Sequence, residues 1–288
     1  MNRRLLVILA SVLLSGCNTV NMAYRNADWY LENRIDEYAT FNAQQQEIIH
    51  QEVGKYIRLH REKLLPAYIE FLRDLNKTAQ SDTPLTVADS RHIRTSFREL
   101  YRATMQPMVA PAARILASID DKQILELEKY FAKENEERGK EMLGTSHEEY
   151  LEKRGKRTLS FLHWLVGSLS PEQEQKILAI SRSLPTTGDI YLQQQEIYQH
   201  RLIAMLQKHA SETSIAAFLN AWLFHPDAVL SVEQQKAMQA SVHAWDNMIV
   251  QVHRLMTPQQ KEHFNDLVTN YIQEMTEAKR APLPAHAP

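Results

Sequence analysis

The chain has 288 residues, enough for one large domain or two small ones. Its 33 Lys+Arg against 35 Asp+Glu give no basic surface for a polyanion, which argues against nucleic acid as a partner. One cysteine excludes an intramolecular disulfide and a thiolate cluster for zinc or iron–sulfur.

The chain opens on Met1-Asn2-Arg3-Arg4, then an apolar run from Leu5 to Leu14 broken only by Ser11, then Ser15-Gly16-Cys17. About ten apolar residues cannot cross a bilayer core of roughly 30 Å, so the run reads as a secretory signal rather than a membrane span. Residues 1–17 resemble bacterial lipoprotein signals. The resemblance implies a signal peptide over 1–16, diacylglycerol on the Cys17 sulfur, cleavage before Cys17, and acylation, as palmitate, of the new N-terminus. Two or more acyl chains anchor stably where one does not. In Gram-negative lipoproteins an aspartate after the cysteine holds the protein in the inner membrane. Asn18 therefore implies the outer membrane, periplasmic face. Losing Arg3 and Arg4 takes Lys+Arg from 33 to 31 against 35 Asp+Glu, so the mature chain is more acidic.

Seven glycines, eleven prolines and almost no strand-like alternation predict an all-α protein. The expected architecture is a multi-helix bundle of about ten helices over 17–280, ending in an antiparallel helical hairpin. The first helix is expected from about Val20 to Tyr38. A second starts after Asn42 and is ended or kinked by Pro66, with a short continuation through Tyr68, Phe71 and Leu75. Ser81-Asp82-Thr83-Pro84 is a turn. A third helix covers 86–105, and Pro107 and Pro111 interrupt the stretch after it. The fourth starts after Asp120. Residues 132–157 are poor in apolar side chains; they read as a solvated helix face or as a hairpin projecting from the body and turning near Gly144. Further helices start after Pro171, from Ile190 and from Ile215. In the last two, Met238, Val242, Trp245, Ile249, Val252 and Met256, then Phe264, Leu267, Tyr271 and Met275, keep near-heptad spacing, which predicts the hairpin. The Pro/Ala-rich tail over 281–288 is expected to be disordered.

One pattern recurs five times: an apolar residue, a capping residue, two others, then glutamine. Its caps and glutamines are Asn42 and Gln45, Asp120 and Gln123, Ser170 and Gln173, Ser231 and Gln234, and Thr257 and Gln260. Each is a capping box, in which the short side chain takes an orphan N–H and the glutamine reaches back to the cap N–H. The uneven spacing excludes a solenoid. Small all-helical periplasmic stress chaperones carry a similar apolar-Thr-x-x-Gln motif, and the resemblance is confined to these boxes.

Tyr24, Ala27-Asp28, Asp36, Tyr38, Phe41, Gln45, His60-Arg61 and Leu65-Pro66 with Tyr68 resemble the front of an uncharacterised family of Gram-negative all-helical lipoproteins. The resemblance covers about fifty residues well and implies a lipidated envelope protein, with no activity to carry over.

Cys17 is the lipidation site on this reading. His60 shares a stripe with Val53 and Leu64; it is either a half-buried structural histidine or a pocket group with Arg61, Asp28, Asp36 and Tyr68. Glu47 and His50 form one Glu-x-x-His pair, where a di-iron bundle needs two, so no metal and no cofactor is expected. No nucleophile elbow, phosphate loop or dinucleotide fingerprint is present, and no catalytic residue is assigned. The function expected is a structural or adaptor lipoprotein docking an envelope partner through a helical groove or the polar 132–157 stretch. A helical holdase is the alternative, and an enzyme or small-ligand binder the third reading.

Overall fold

The computed structural model describes residues 19–144 and 146–280. The signal segment over 1–16, Cys17 and the tail from Ala281 lie outside the described residues. Within them the protein is all-α, with thirteen helical segments and no strand. No helix among the described residues is long and apolar enough to cross a membrane.

The segments are α1 (Thr19–Arg25), α2 (Ala27–Asp36), α3 (Ala43–Leu59), α4 (Leu65–Ala79), α5 (Val87–Met105), α6 (Val109–Ala117), α7 (Asp121–Met142), α8 (His147–Val166), α9 (Pro171–Ser183), α10 (Gly188–Gln207), α11 (Glu212–Phe224), α12 (Val232–Leu255) and α13 (Pro258–Arg280). A π turn at His60–Leu64 joins α3 to α4, and a 3-10 turn at Gln106–Met108 joins α5 to α6. The segments therefore make about ten or eleven rods.

Two boundaries differ from expectation. The first helix breaks at Asn26, whose backbone leaves the helical region (φ −118, ψ 10) while its side-chain amide donates to the Met22 carbonyl at 2.9 Å. A short polar side chain competing for backbone carbonyls is what interrupts a helix there. Pro66 does not end its helix. It lacks the N–H that would bond the Glu62 carbonyl, and the turn widens instead, with the Leu65 N–H reaching back five residues to His60. The extra residue lets Leu64 and Leu65, neighbours in sequence, both enter the core.

The largest apolar core joins α6, α7, α10 and α11 through Ala113, Ile124, Leu202, Leu206 and Ile215. A second joins α8, α9 and α12 through Leu162, Ile177, Met248 and Val252. The chain's first and last described helices meet in a third, where Val20 packs with Leu65 and Ala278 and the Val20 N–H donates to Glu274 at 3.0 Å. Residues 132–157 do form two helices turning at Gly144 (φ 67). They are not a bare projection. Asn135 donates to Gln199 at 2.6 Å and Arg138 to Gln195 at 2.6 Å, a polar seam between α7 and α10. On α8 the buried Arg154 collects the carbonyls of Ser181, Leu184 and Pro185, closing the C-terminal end of α9.

The C-terminal hairpin is not confirmed. Helices α12 and α13 are both present, but α12 lies along α5 and α9, while α13 lies along α4, α1 and α8. Polar ties set these choices. Asp246 of α12 is 1 % exposed and takes a bidentate bond from Arg94 (3.1 and 3.0 Å) and one from Ser90 (3.1 Å) on α5. His253 bonds the Ala79 carbonyl at 3.1 Å.

All five glutamine capping boxes form. Four of them pair. Gln45 and Gln123 each donate to the other's side-chain oxygen (3.1 and 2.7 Å), and each also donates to a carbonyl two residues before the partner's cap, Ser118 and Thr40. Gln173 and Gln260 repeat the arrangement at 2.9 and 3.0 Å, with Leu255 and Ser168 as the carbonyls. The fifth box differs, since Gln234 donates to Gln193 of α10. A sixth box, Thr86 with Asp89, opens α5.

Removing one clasp amide leaves buried carbonyls without donors, which costs about 1–3 kcal/mol. Gln45→Ala is expected to lower stability in urea unfolding by about that amount, with exposed Gln46→Ala nearly neutral. The Gln45→Ala/Gln123→Ala pair should lose less than the sum of the singles. Asp246→Ala, which removes the partner of Arg94 and Ser90, is expected to cost about 1–3 kcal/mol in the same assay, since Arg94 is 30 % exposed and reaches water.

Candidate functional site

The π turn sends two adjacent side chains to different places. His60 enters a ring of three tyrosines, with centroid distances of 5.9 Å to Tyr24, 5.8 Å to Tyr56 and 5.5 Å to Tyr68. Buried Arg61 instead donates to the Lys279 carbonyl at 3.2 Å, at the C-terminal end of α13.

The hydroxyls of the ring are bonded. Tyr24 lies 2.6 Å from His60 Nδ1. Thr104 gives its proton to the Leu100 carbonyl at 2.8 Å, so at 2.8 Å its Oγ1 accepts from Tyr68. Tyr56 donates to the Thr104 carbonyl at 3.3 Å. Burial raises the Tyr24, Tyr56 and Tyr68 phenols, which stay protonated. Burial alone lowers the His60 imidazole to about 4. With a neutral ring and a protonated phenol, Tyr24 donating to Nδ1 satisfies both groups and leaves the imidazole proton on Nε2.

The expected pocket is therefore only partly assembled. His60 and Tyr68 meet; Arg61 does not join them. Asp28 stands at the start of α2, accepting from the Trp29 N–H at 2.8 Å, and Asp36 is exposed at the end of that helix. No carboxylate shifts His60. Tyr24 and Tyr56 border His60, and Thr104 bonds Tyr56 and Tyr68; none of the three is among the pocket residues expected from the sequence. Tyr56 is four residues before His60, a spacing that places them on one helix face. Tyr24 and Thr104 come from α1 and α5, and no local signal connects them to α3. A neutral imidazole lowered to about 4 is a weak proton acceptor at neutral pH, and its neighbours are phenols and a threonine. The cluster acts as a polar knot between α1, α3, α4 and α5.

His50 bonds Glu32 at 2.7 Å on the surface, and Glu47 accepts from Gln51. Among the described residues no group of three or more His, Cys, Asp or Glu could hold a metal ion. A surface depression lies over the second clasp, beside Gly167, Ser168 and His263. The amides of Gln173 and Gln260 at its floor are bonded to one another. A second lies beside Tyr198, Met205 and Phe218, with Tyr198 stacked on Trp222 at 5.5 Å.

The surface holds a different feature. The expected inward stripe of α12 is partly outward: Trp245 is 41 % and Ile249 44 % exposed. At about 100° per residue, Ala244, Met248 and Val252 face α8 and α9, while Asp246 and His253 face α5 and Ala79. Met238, Val242, Trp245 and Ile249 fall between those two buried flanks. Lys236, His243, Asn247, Gln251 and Arg254 form the opposite, polar face. Met238 and Val242 of this stripe are half-buried, and Trp245 and Ile249 are left exposed between the two flanks.

A family model described as "Family of unknown function (DUF6279)" matches residues 37–233. No curated protein and no solved structure matches the chain. The matched span contains the first glutamine clasp, His60 with Tyr56, Tyr68 and Thr104, and half of the second clasp.

Unfolding should report the His60 knot through pH. The unfolded imidazole, at 6.5, binds a proton before the folded one at about 4. Stability is then full above pH 6.5 and falls as pH drops from 6.5 towards 4, by about 3 kcal/mol at most. Comparing urea unfolding of the wild type and His60→Gln at pH 7 and pH 4.5, the variant is expected to show the smaller loss on acidification. Equal losses would rule the knot out as the source.

Proposed function

The chain belongs to the family of unknown function DUF6279, and from its N-terminal sequence and the exposed apolar residues of α12 we propose that it is a lipid-anchored adaptor of a Gram-negative envelope, without a catalytic role of its own. Cys17 carries the lipid, the outer membrane holds it on the periplasmic face, and the helical body extends from that anchor. The basic start, the short apolar run and Ser15-Gly16-Cys17 support the anchor.

The observation that carries the adaptor reading is the exposed strip of α12. A tryptophan and an isoleucine one turn apart, more than two-fifths exposed, do not serve the core of this body. The spacing of Met238, Val242, Trp245 and Ile249 is that of a helix–helix seam, so the occupant is an amphipathic helix of another envelope protein. Aromatic anchors dominate such contacts energetically. The His60 knot, bonded within itself, serves to hold the body rigid.

A photoreactive residue in place of Ile249, in the full chain in intact cells, is expected to capture one recurring envelope protein, with the product lost on Trp245→Asp. A broad set of captured proteins that grows under stress would replace the adaptor reading by a holdase. No captured protein would overturn both. Cys17→Ala is expected to release the protein from membranes or block its maturation; full retention at unchanged mature size would count against the anchor.

A further inference from the structure

We propose that the outward side of α1 and α2, carried by Met22 and Trp29, is a bilayer-contacting surface, with Trp29 seated at the level of the lipid headgroups; this rests on the lipid-anchor reading of Cys17. The first observation is exposure. Met22 and Trp29 are each 66 % exposed, the most exposed of the large apolar side chains among the described residues. Their helix neighbours point the other way, with Val20 in the α13 contact, Tyr24 on His60, and Leu31 and Ile35 against α3.

The second observation is that this side is held in place. The Val20 N–H is fixed to Glu274 and the Tyr24 hydroxyl to His60, and the Glu32 carboxylate of α2 meets His50 of α3 at 2.7 Å. The two apolar side chains therefore stand on a fixed ridge of the body. Chain length supplies the third. Only Asn18 separates Cys17 from Thr19, a reach of about 7 Å at most. Met22 lies roughly 5 Å along α1 at the helical rise, and Trp29 follows in the first turn of α2. A lipid on Cys17 holds this part of the described body close to the membrane surface.

The chemistry suits a headgroup layer. Tryptophan presents an apolar body and one N–H and prefers the membrane–water boundary. Exposed Arg25 stands between the two apolar residues in sequence, where a lipid phosphate can meet it. Asn33 and Asp36 lie farther along α2 on that side, so the apolar contact ends after Trp29. One apolar ridge beside an acyl anchor is the second, weaker signal that fixes orientation as well as location.

The test uses the full-length protein purified from membranes and reconstituted into phosphatidylethanolamine/phosphatidylglycerol vesicles with brominated acyl chains. Tryptophan fluorescence and the mass of the N-terminal peptide are read on the same sample. The expected result is quenching in the wild type and loss of most of the quenched fraction in Trp29→Phe, the other three tryptophans being Trp164, Trp222 and Trp245. Equal quenching in wild type and variant, or none in either, overturns the membrane ridge and leaves that side to a protein partner. The peptide mass reports the anchor separately. An unmodified Cys17 refutes the anchor reading, and Trp29-dependent quenching in that same protein would still support the ridge.

Discussion

A glutamine taken out of water has an acceptor oxygen and two N–H groups to satisfy, and failure costs about 1–3 kcal/mol for each group left bare. This protein meets that demand by making four buried or half-buried glutamines complete one another. Gln45 and Gln123 already serve as capping residues, each accepting its own cap N–H, and their remaining donors go to the partner amide and to a carbonyl outside the partner helix. Each clasp thereby joins two helix N-termini, and it works only if both helices start at the right residue. The starts of α3 and α7, and of α9 and α13, are fixed as pairs. The apolar cores then fill around those joints.

The rest of the body shows the same preference for polar specification of an apolar packing. Asp246 chooses which side of α12 meets α5, Arg154 closes the end of α9, and the tyrosines around His60 tie α1 to the π turn and α5. Apolar side chains alone would permit several rotations of a helix, because burial is not directional. Each of these bonds permits one. On α12 the satisfied polar tie stands beside two large apolar side chains left outside.

Local chemistry was well represented in the amino-acid sequence, and tertiary pairing was not. The all-helical class, the five glutamine boxes, the turn at Gly144 and the disturbance at Pro66 each arise from residues within one or two turns of one another. Pro66 reads locally as a stop or kink because the missing N–H is a local fact, while the π turn that absorbs it also depends on Leu64 and Leu65 both finding core. The boxes were legible as caps but not as clasps, since nothing in Gln45 announces a partner 78 residues away. The terminal hairpin was inferred from heptad spacing, which states that a helix has a seam and not which neighbour fills it. Of the pocket residues, His60 and Tyr68 came together because they flank one turn of one rod. Arg61, the next residue along, faces another neighbour, because adjacent positions on a helix do not share a face.

The contact between α1 and α13 bears on the order in which the molecule can be assembled. Val20 and Glu274 are 254 positions apart, so their bond closes nearly the longest loop the described chain offers. The entropy of closing a loop rises only with the logarithm of its length, and the contact is tolerable at equilibrium. Kinetically it is different: Tyr24 of the first helix can meet His60 and α3 early, but the bond from the Val20 N–H and the apolar contact of Val20 with Ala278 must wait until the last helix is placed. Val20 and Leu65 lack the cover of Ala278 until then. Folding of this body therefore closes from the joints outward, with head and tail meeting among the last events.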